Sequence, residues 1–360
     1  MPLRLFRPAS RKPRLLPVRM SSSDLQLQQA LRHLPAIGPV RLEALRQLGV
    51  SSWTDLLQAP DSLLRQTLPA NAIPTIRREA QRDLDAAARG DIAHFIDRLH
   101  VADRWRLLLR HWPQCVFLDI ETAGLERDAD ITVIACWNGT QLRLFVNGEN
   151  LDDFPDFLLD AQLLVTFNGS TFDLPIIRQT FALPADLLPP HVDLRWICRR
   201  CDLTGGLKAI EQTLGLKRPH DLVGTDGQEA IDLWQRWNAH HDTRARTHLL
   251  RYCAADTIAL RHVAAAVLHQ TANQDQKPDH DRDTRFDVSP DDDWRTLERQ
   301  LPAPPMTAAA TTTTTTTQTP PESSEPEPSE PPAESSEPES SEPPAESSEP
   351  AESEPPAEPE

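Results

Sequence analysis

Three short acidic segments recur along the chain in a fixed order, at residues 117–122, 167–173 and 252–256. Asp119 and Glu121 stand two residues apart in an apolar stretch, so on a β-strand both side chains leave from the same face. Tyr252 and Asp256 stand four residues apart in a helical stretch, so they share one face of a helix. If Asp173 joins them, four carboxylates and a phenol meet at one point, where they would bind divalent metal ions and support phosphodiester hydrolysis.

The elements that would position these side chains lie between residues 113 and 270, where strand and helix patterns alternate. Strands are predicted at residues 115–121, 131–137, 141–146, 163–167 and 192–197, and helices at 154–159, 176–181, 207–214, 231–237 and 244–269. Asn138 and Gly139 separate the second and third strands and give a strong hairpin-turn signal. This order predicts an α/β domain with a mixed sheet that is flanked by helices.

The remaining segments differ in composition from this domain. Residues 1–20 form a basic arm without acids, which we expect to be disordered or a mis-annotated extension before Met20; a transit-like presequence is the alternative. Residues 21–68 predict a small all-α module, and residues 69–112 a helical connector. Residues 271–360 predict a disordered linker and an acidic tail rich in Pro, Glu and Ser, with residues 294–301 as a short helix or docking peptide. Since no apolar run reaches the ~18 residues of a membrane span, we expect no membrane partner.

Charge is distributed unevenly along the chain. The formal net charge is −17, but residues 321–360 carry 14 Glu and no Lys or Arg, so without them it is −3. Residues 1–112 have a net charge of +8 and residues 113–270 one of −7. A basic front half before an acidic domain favours a module that grips nucleic acid ahead of a carboxylate metal site. The acidic tail could recruit a protein partner.

The glycine turn in residues 34–40 resembles the helix-hairpin-helix motif, which grips the sugar-phosphate backbone through N–H groups. The resemblance makes Ile37 and Gly38 candidate nucleic-acid contacts. Ala36 stands where the motif usually has its first glycine, so close approach of a phosphate is less assured. The alternative is a helix pair that serves only for packing or dimerisation.

The five cysteines indicate reduced thiols in a cytoplasmic protein, because their number is odd and three lie in apolar stretches. Cys198 and Cys201 have metal-ligand spacing, and His191 is the only other candidate ligand near them. A structural zinc site would need two further ligands. We therefore favour a pair of half-buried thiols over zinc.

Residues 113–270 resemble the DEDD superfamily of 3′-to-5′ exonucleases, and more closely its YprB-type ribonuclease H-like family. The resemblance is carried by residues 118–125, 167–169, 172–175, 191–194 and 206–211. It implies a ribonuclease H-like fold in which the metal-binding carboxylates are Asp119, Glu121, Asp173 and Asp256. Two Mg²⁺ or Mn²⁺ ions about 4 Å apart fit an all-carboxylate set, since hard cations prefer oxygen ligands.

Tyr252 matches the tyrosine variant of that superfamily, because it stands four residues before the last Asp and residue 251 is Arg. It is also the only tyrosine in the chain. With an ordinary pKa near 10, it would orient water rather than deprotonate it, although a helical Tyr is also a common core residue. Asn168 could bind the nucleotide or only make the turn, Lys208 could contact a phosphate or be solvated, and Asp193 would support the site without binding metal.

We therefore expect a metal-dependent 3′-to-5′ exonuclease that acts on single-stranded ends of DNA or RNA. One alternative is a structure-specific endonuclease on the same fold. Another is a non-catalytic adaptor that binds nucleic acid and recruits proteins through the acidic tail. The intact set of acids argues against the adaptor, because a degenerate site would have lost a carboxylate.

Overall fold

The computed structural model of this protein describes residues 22–126, 128–274 and 288–303. The basic arm predicted at residues 1–20 and most of the acidic tail lie outside these residues. The chain begins with helices α1 (Ser22–Gln28), α2 (Pro39–Gln47), α3 (Trp53–Gln58), α4 (Asp61–Leu64), α5 (Ile73–Arg89), α6 (Ile92–Arg98) and α7 (Trp105–Arg110). Among the described helices, not one is long and apolar enough to cross a membrane.

The N-terminal helices pack around two stacked aromatic side chains. The rings of Trp53 and Phe95 are nearly parallel, with centroids 5.7 Å apart. The Trp53 indole N–H donates a hydrogen bond of 2.7 Å to the carbonyl oxygen of Ala30. Because Trp53 belongs to residues 21–68 and Phe95 to residues 69–112, the two predicted helical segments share one hydrophobic core.

A five-stranded mixed sheet follows in the described residues. Its strands are β1 (Cys115–Thr122), β2 (Ile131–Trp137), β3 (Leu142–Val146), β4 (Leu163–Thr166) and β5 (His191–Asp193), in the order β3-β2-β1-β4-β5. β1 pairs antiparallel with β2 and parallel with β4, so it occupies the centre of the sheet. Alternation along β1 places Phe117, Asp119 and Glu121 on one face and Leu118 and Ile120 on the other.

Helices cover both faces of this sheet. The α-helices that the structure describes after residue 150 are α8 (Phe154–Asp160), α9 (Asp173–Thr180), α10 (Leu194–Arg200), α11 (Leu207–Thr213), α12 (Gly227–His240), α13 (Thr243–Gln274) and α14 (Pro290–Gln300). α8 and α9 pack on the face of Leu118 and Ile120, while α13 packs on the face of Phe117. The predicted mixed sheet with flanking helices, preceded by an all-α region, is confirmed.

The strand predicted at residues 192–197 is wrong beyond Asp193. β5 ends at that residue, and α10 begins at Leu194. The carboxylate of Asp193 accepts a hydrogen bond of 3.1 Å from the backbone N–H of Arg195, which caps the new helix. The apolar residues of this stretch fit either period, so the cap decides between strand and helix.

The disorder predicted for residues 271–360 is wrong for residues 290–300, which form α14 and overlap the short helix considered at residues 294–301. The Ser289 hydroxyl caps this helix by accepting a hydrogen bond from the backbone N–H of Asp292, and Pro290 occupies its first turn. Leu297 is fully buried in the core. The segment is therefore part of the folded domain.

Ion pairs fasten α14 to α13. The buried Arg251 guanidinium donates to Glu298 at 2.6 Å, and it also binds Asp221. Asp293 of α14 accepts a hydrogen bond of 2.8 Å from Arg261, and the Nε2 atom of His262 lies 2.9 Å from the same carboxylate. Charges buried in this way need their partners, so α14 stabilises the helix beneath it.

Candidate metal centre

The centre of the site is the carboxyl-terminal half of β1. Asp119 and Glu121 point from one face of this strand, as their spacing predicts, and α13 covers that face. One ligand atom from each of Asp119, Glu121 and Cys253 lies within 4.8 Å of the others. Among the described residues, this is the one group of three potential metal-ligating side chains with such spacing.

α13 brings Tyr252, Cys253 and Asp256 to the same place. Tyr252 and Asp256 share a face of the helix and are buried, with exposed fractions of 4% and 8%. The Cys253 thiol lies 3.7 Å from the Asp119 carbonyl oxygen and 3.9 Å from its carboxylate. Sequence reasoning missed Cys253, because a cysteine inside a helix carries no signal beyond its place beside Tyr252.

Asp173 comes to β1 from the other side of the fold. It is the first residue of α9, and Phe172 rather than Asp173 holds the N-cap position. Its carboxylate is close enough to Asp119 and Glu121 that its charge raises the pKa of both. Burial, together with the charge of the nearby Asp193, raises the pKa of Asp173 to about 7. The structure thus gathers the acids of all three segments around β1.

These carboxylates oppose one another's ionisation. Burial, reinforced by the neighbouring Asp256, raises the pKa of Asp119 and that of Glu121 well above their ordinary values. Lys208 and Arg218 lower the Glu121 pKa but do not offset this effect. A group of buried carboxylates with too little positive charge is suited to hard divalent cations, since these prefer oxygen ligands. The residues present therefore fit Mg²⁺ or Mn²⁺.

Lys208 approaches the site through Tyr252. Its ammonium group donates a hydrogen bond of 2.7 Å to the Tyr252 hydroxyl oxygen and another to the carbonyl oxygen of Thr225. Burial, and then the charge of Asp256, raises the pKa of Tyr252 above its ordinary value. The phenol therefore keeps its proton at neutral pH and can donate it in a hydrogen bond. Lys208 is not a freely solvated side chain.

Arg218 is the second cation at the site, and sequence reasoning missed it. Its Nη1 atom donates to Asp256, while Nε and Nη2 donate to the two carboxylate oxygens of Glu211 at 2.7 and 2.5 Å. The partner Glu211 lies in a segment that carries the exonuclease resemblance. Arg218 itself follows α11 in a loop with no recognisable motif.

Asp193 supports the turn that leads to Asp173. Its carboxylate accepts hydrogen bonds from the backbone N–H groups of Asn168 (2.8 Å) and Ser170 (3.1 Å) and from the Ser170 hydroxyl (2.7 Å). Asn168 has left-handed backbone with φ of 67°, which is uncommon for a residue other than glycine. At Gly169, any Cβ would lie 2.1 Å from the Thr166 hydroxyl, so only glycine fits. Asp193 contacts the turn directly, in keeping with its expected supporting position.

A cavity of about 410 Å³ opens beside this turn. Its lining includes Phe167, Asn168, Arg195, Arg199 and Leu207. Arg195 donates a hydrogen bond to the side-chain oxygen of Asn168. Leu207 of its lining directly precedes Lys208, which binds Tyr252. Its walls combine two guanidinium groups with apolar surface.

Ile37 and Gly38 belong to the N-terminal helices and not to this group. Ile37 is buried in the core, and Gly38 is the N-cap residue of α2. Ala36 has left-handed backbone with φ of 61°, the conformation for which the motif usually has glycine. Val40, at the start of α2, is 84% exposed. The helix-hairpin-helix resemblance of this turn and its contact with nucleic acid both stay predictions.

The cysteine pair has a simpler environment than a zinc site. Cys198 and Cys201 are free and buried rather than half-buried. The Cys201 sulfur lies 3.2 Å from the Thr271 hydroxyl. His191, the third candidate ligand, instead lies 2.8 Å from the Thr166 hydroxyl. The described residues therefore give no support to zinc at this pair.

Comparison with known families agrees with this geometry. Residues 116–268 match the family model of the RNase H superfamily. The matched range begins in β1 and ends in α13, so it contains the four acids and Tyr252. No curated protein matches the chain. The superfamily match indicates a nuclease domain that binds nucleic acid, and the acidic group is its candidate site for divalent metal.

Proposed function

We propose that this protein is a metal-dependent 3′-to-5′ exonuclease that hydrolyses single-stranded ends of DNA or RNA. The observation that carries the proposal is the convergence of Asp119, Glu121, Asp173 and Asp256, with Tyr252, on the centre of the sheet. The DEDD resemblance assigns these residues to the tyrosine variant of that superfamily. The superfamily match supports the nuclease class.

The four carboxylates would hold two Mg²⁺ or Mn²⁺ ions. The chemistry that such cations supply is activation of water and stabilisation of the leaving 3′ oxygen during phosphodiester hydrolysis. Tyr252 would act as a hydrogen-bond donor that orients the attacking water, because its phenol stays protonated. Lys208 holds the phenol oxygen, so the Tyr252 proton is free to point toward the substrate.

The cavity lined by Phe167, Arg195 and Arg199 is the place we assign to the substrate strand. Aromatic and apolar surfaces bind unstacked bases with little sequence preference, and arginines bind the phosphates. Trp196 of α10 is 46% exposed, and the Arg199 guanidinium lies 5.2 Å from its ring centre. Asn168 and Lys208 would contact the nucleotide nearest the acids.

The N-terminal helices would add a second grip on the nucleic acid through the turn at Ile37 and Gly38. The positive charge of residues 1–112 supports this role. We place the protein in the cytoplasm, because all five cysteines are free.

The test is a digestion of 5′-labelled single-stranded DNA and RNA by the full-length protein with Mn²⁺, and again with EDTA. A ladder of products that shorten from the 3′ end is expected in the reaction with Mn²⁺ and not in the reaction with EDTA. Asp119→Asn should lower the rate by about 10³-fold, since a lost metal ligand removes several kcal/mol of transition-state stabilisation. Asp160→Asn, at an exposed aspartate of α8, is the matched control and should leave the rate unchanged.

Tyr252→Phe should lower the rate by about 10²-fold and leave Mn²⁺ binding intact, because it removes a hydrogen bond and no ligand. A single internal cut would instead indicate the endonuclease, and binding without cleavage the adaptor. Cleavage that survives Asp119→Asn would refute the assigned site.

A further inference from the structure

The loop after α11 brings the guanidinium group of Arg218 to the edge of the acidic site, where it binds two carboxylates. The Arg218 side chain is buried, with 8% of its surface exposed, and the Glu211 side chain is 4% exposed. Two guanidinium nitrogens of Arg218 bind both oxygens of Glu211, at 2.7 and 2.5 Å. Such a two-point pair fixes the plane of the guanidinium group, which a single contact would not do.

The remaining terminal nitrogen of Arg218 binds one oxygen of Asp256, Oδ1. Since Glu211 already holds the guanidinium group in place, the position of Oδ1 is fixed relative to the loop as well as to α13. The second oxygen of Asp256 is left for another partner. Carboxylates that bind metals are commonly oriented in this way by a hydrogen bond to their other oxygen.

Glu211 also determines the charge of this arrangement. Arg218 alone would place a full positive charge beside the candidate metal ligands and would weaken their hold on a cation. Paired with Glu211, it forms a neutral unit that still donates a hydrogen bond to Asp256. The pair therefore orients Asp256 and adds no net positive charge beside the candidate metal ligands.

We propose that Arg218, held by Glu211, is a positioning residue that orients Asp256 for binding a divalent metal ion. The inference rests on the proposed function, in which Asp256 is a metal ligand. It differs from the view that Arg218 merely substitutes for the metal as a competing cation. The two views predict opposite changes in metal affinity when Arg218 is replaced.

The experiment is calorimetric titration of full-length protein with Mn²⁺, without nucleic acid. Arg218→Gln should weaken binding by about 10–100-fold, the usual cost of losing a group that orients a metal ligand. Glu211→Gln should also weaken it, because Arg218 then keeps an uncompensated charge. Lys217→Gln is the matched control: it removes an adjacent exposed positive charge and should leave the affinity unchanged.

The double variant Arg218→Gln with Glu211→Gln guards against misfolding, because a buried Glu211 without Arg218 would destabilise the protein. Its two amides can pair with each other, and it should bind Mn²⁺ as weakly as Arg218→Gln does. If the double variant is folded by circular dichroism and binds Mn²⁺ as tightly as the wild type or more tightly, the inference is overturned. A wild type that does not bind Mn²⁺ would overturn the proposed function, and this inference with it.

Discussion

Replacing Asp173 with asparagine should stabilise the metal-free protein at pH 8 and weaken its stabilisation by divalent metal. The folded protein holds the pKa of Asp173 at about 7, against an ordinary value of 3.8. Because the folded-state pKa is the higher one, the folded protein binds this proton more tightly than the unfolded chain does. The carboxyl group therefore costs stability when it must ionise in the fold.

The cost grows as the pH rises from about 4 and is complete above about pH 7. A difference of about three pKa units corresponds to about 4 kcal/mol at pH 8, and to less than half of that at pH 5. Asparagine has no carboxyl proton to lose, so the stability of the variant should not depend on pH through this position. Its advantage over the wild type should be about 4 kcal/mol at pH 8 and smaller at pH 5.

Urea unfolding in EDTA at the two pH values measures these differences as changes in the free energy of unfolding. Asp186→Asn, at an exposed aspartate between α9 and β5, is the matched control and should change neither value. Mn²⁺ at 100 times its dissociation constant should then stabilise the wild type by about 2.7 kcal/mol and the Asp173→Asn variant much less. If the variant is no more stable than the wild type at pH 8, ionisation of Asp173 does not destabilise the folded protein, and the reasoning is refuted.

Two further predictions concern the N-terminal turn and α14. Ala36→Gly should raise the free energy of unfolding in urea by about 1 kcal/mol, because glycine adopts left-handed backbone without the clash of a Cβ atom. The control Ala44→Gly, inside α2, should lower the free energy of unfolding by about 0.5–1 kcal/mol. Equal effects of the two substitutions would contradict the backbone strain at Ala36. A chain that ends at Gln274 should be at least about 3 kcal/mol less stable than one that ends at Ala303, because Arg261 and His262 lose their buried partner Asp293. Equal stability of the two chains would show that α14 contributes nothing to the fold.

Local patterns predicted most of the elements that build the site. The apolar run around Asp119 and the Asn138-Gly139 turn indicated the two central strands of the sheet, because both signals depend on neighbours in sequence. The stretch from Val192 was ambiguous, since its apolar residues suit a strand or a helix. A short helix was considered only from residue 294, although Ser289 and Pro290 give a helix-start signal for α14 four residues earlier.

Contacts between distant parts of the chain explain what the sequence did not predict. Arg218 binds Asp256, which is 38 residues further along, and no spacing rule connects a loop arginine with a helix that far away. Lys208 reaches Tyr252 across 44 residues in the same way. Such pairs depend on how α11 packs against α13, which is decided by the whole fold.

The single tyrosine gives this protein an uncommon spectroscopic property. Tyr252 is the only residue of its kind in the chain, and it lies beside the acids with its oxygen bound by Lys208. Growth on 3-fluorotyrosine would therefore introduce one fluorine atom per molecule, at the candidate site itself. One resonance in the fluorine NMR spectrum would report the arrival of a metal ion or a strand end at that phenol, with no other tyrosine signal to separate from it.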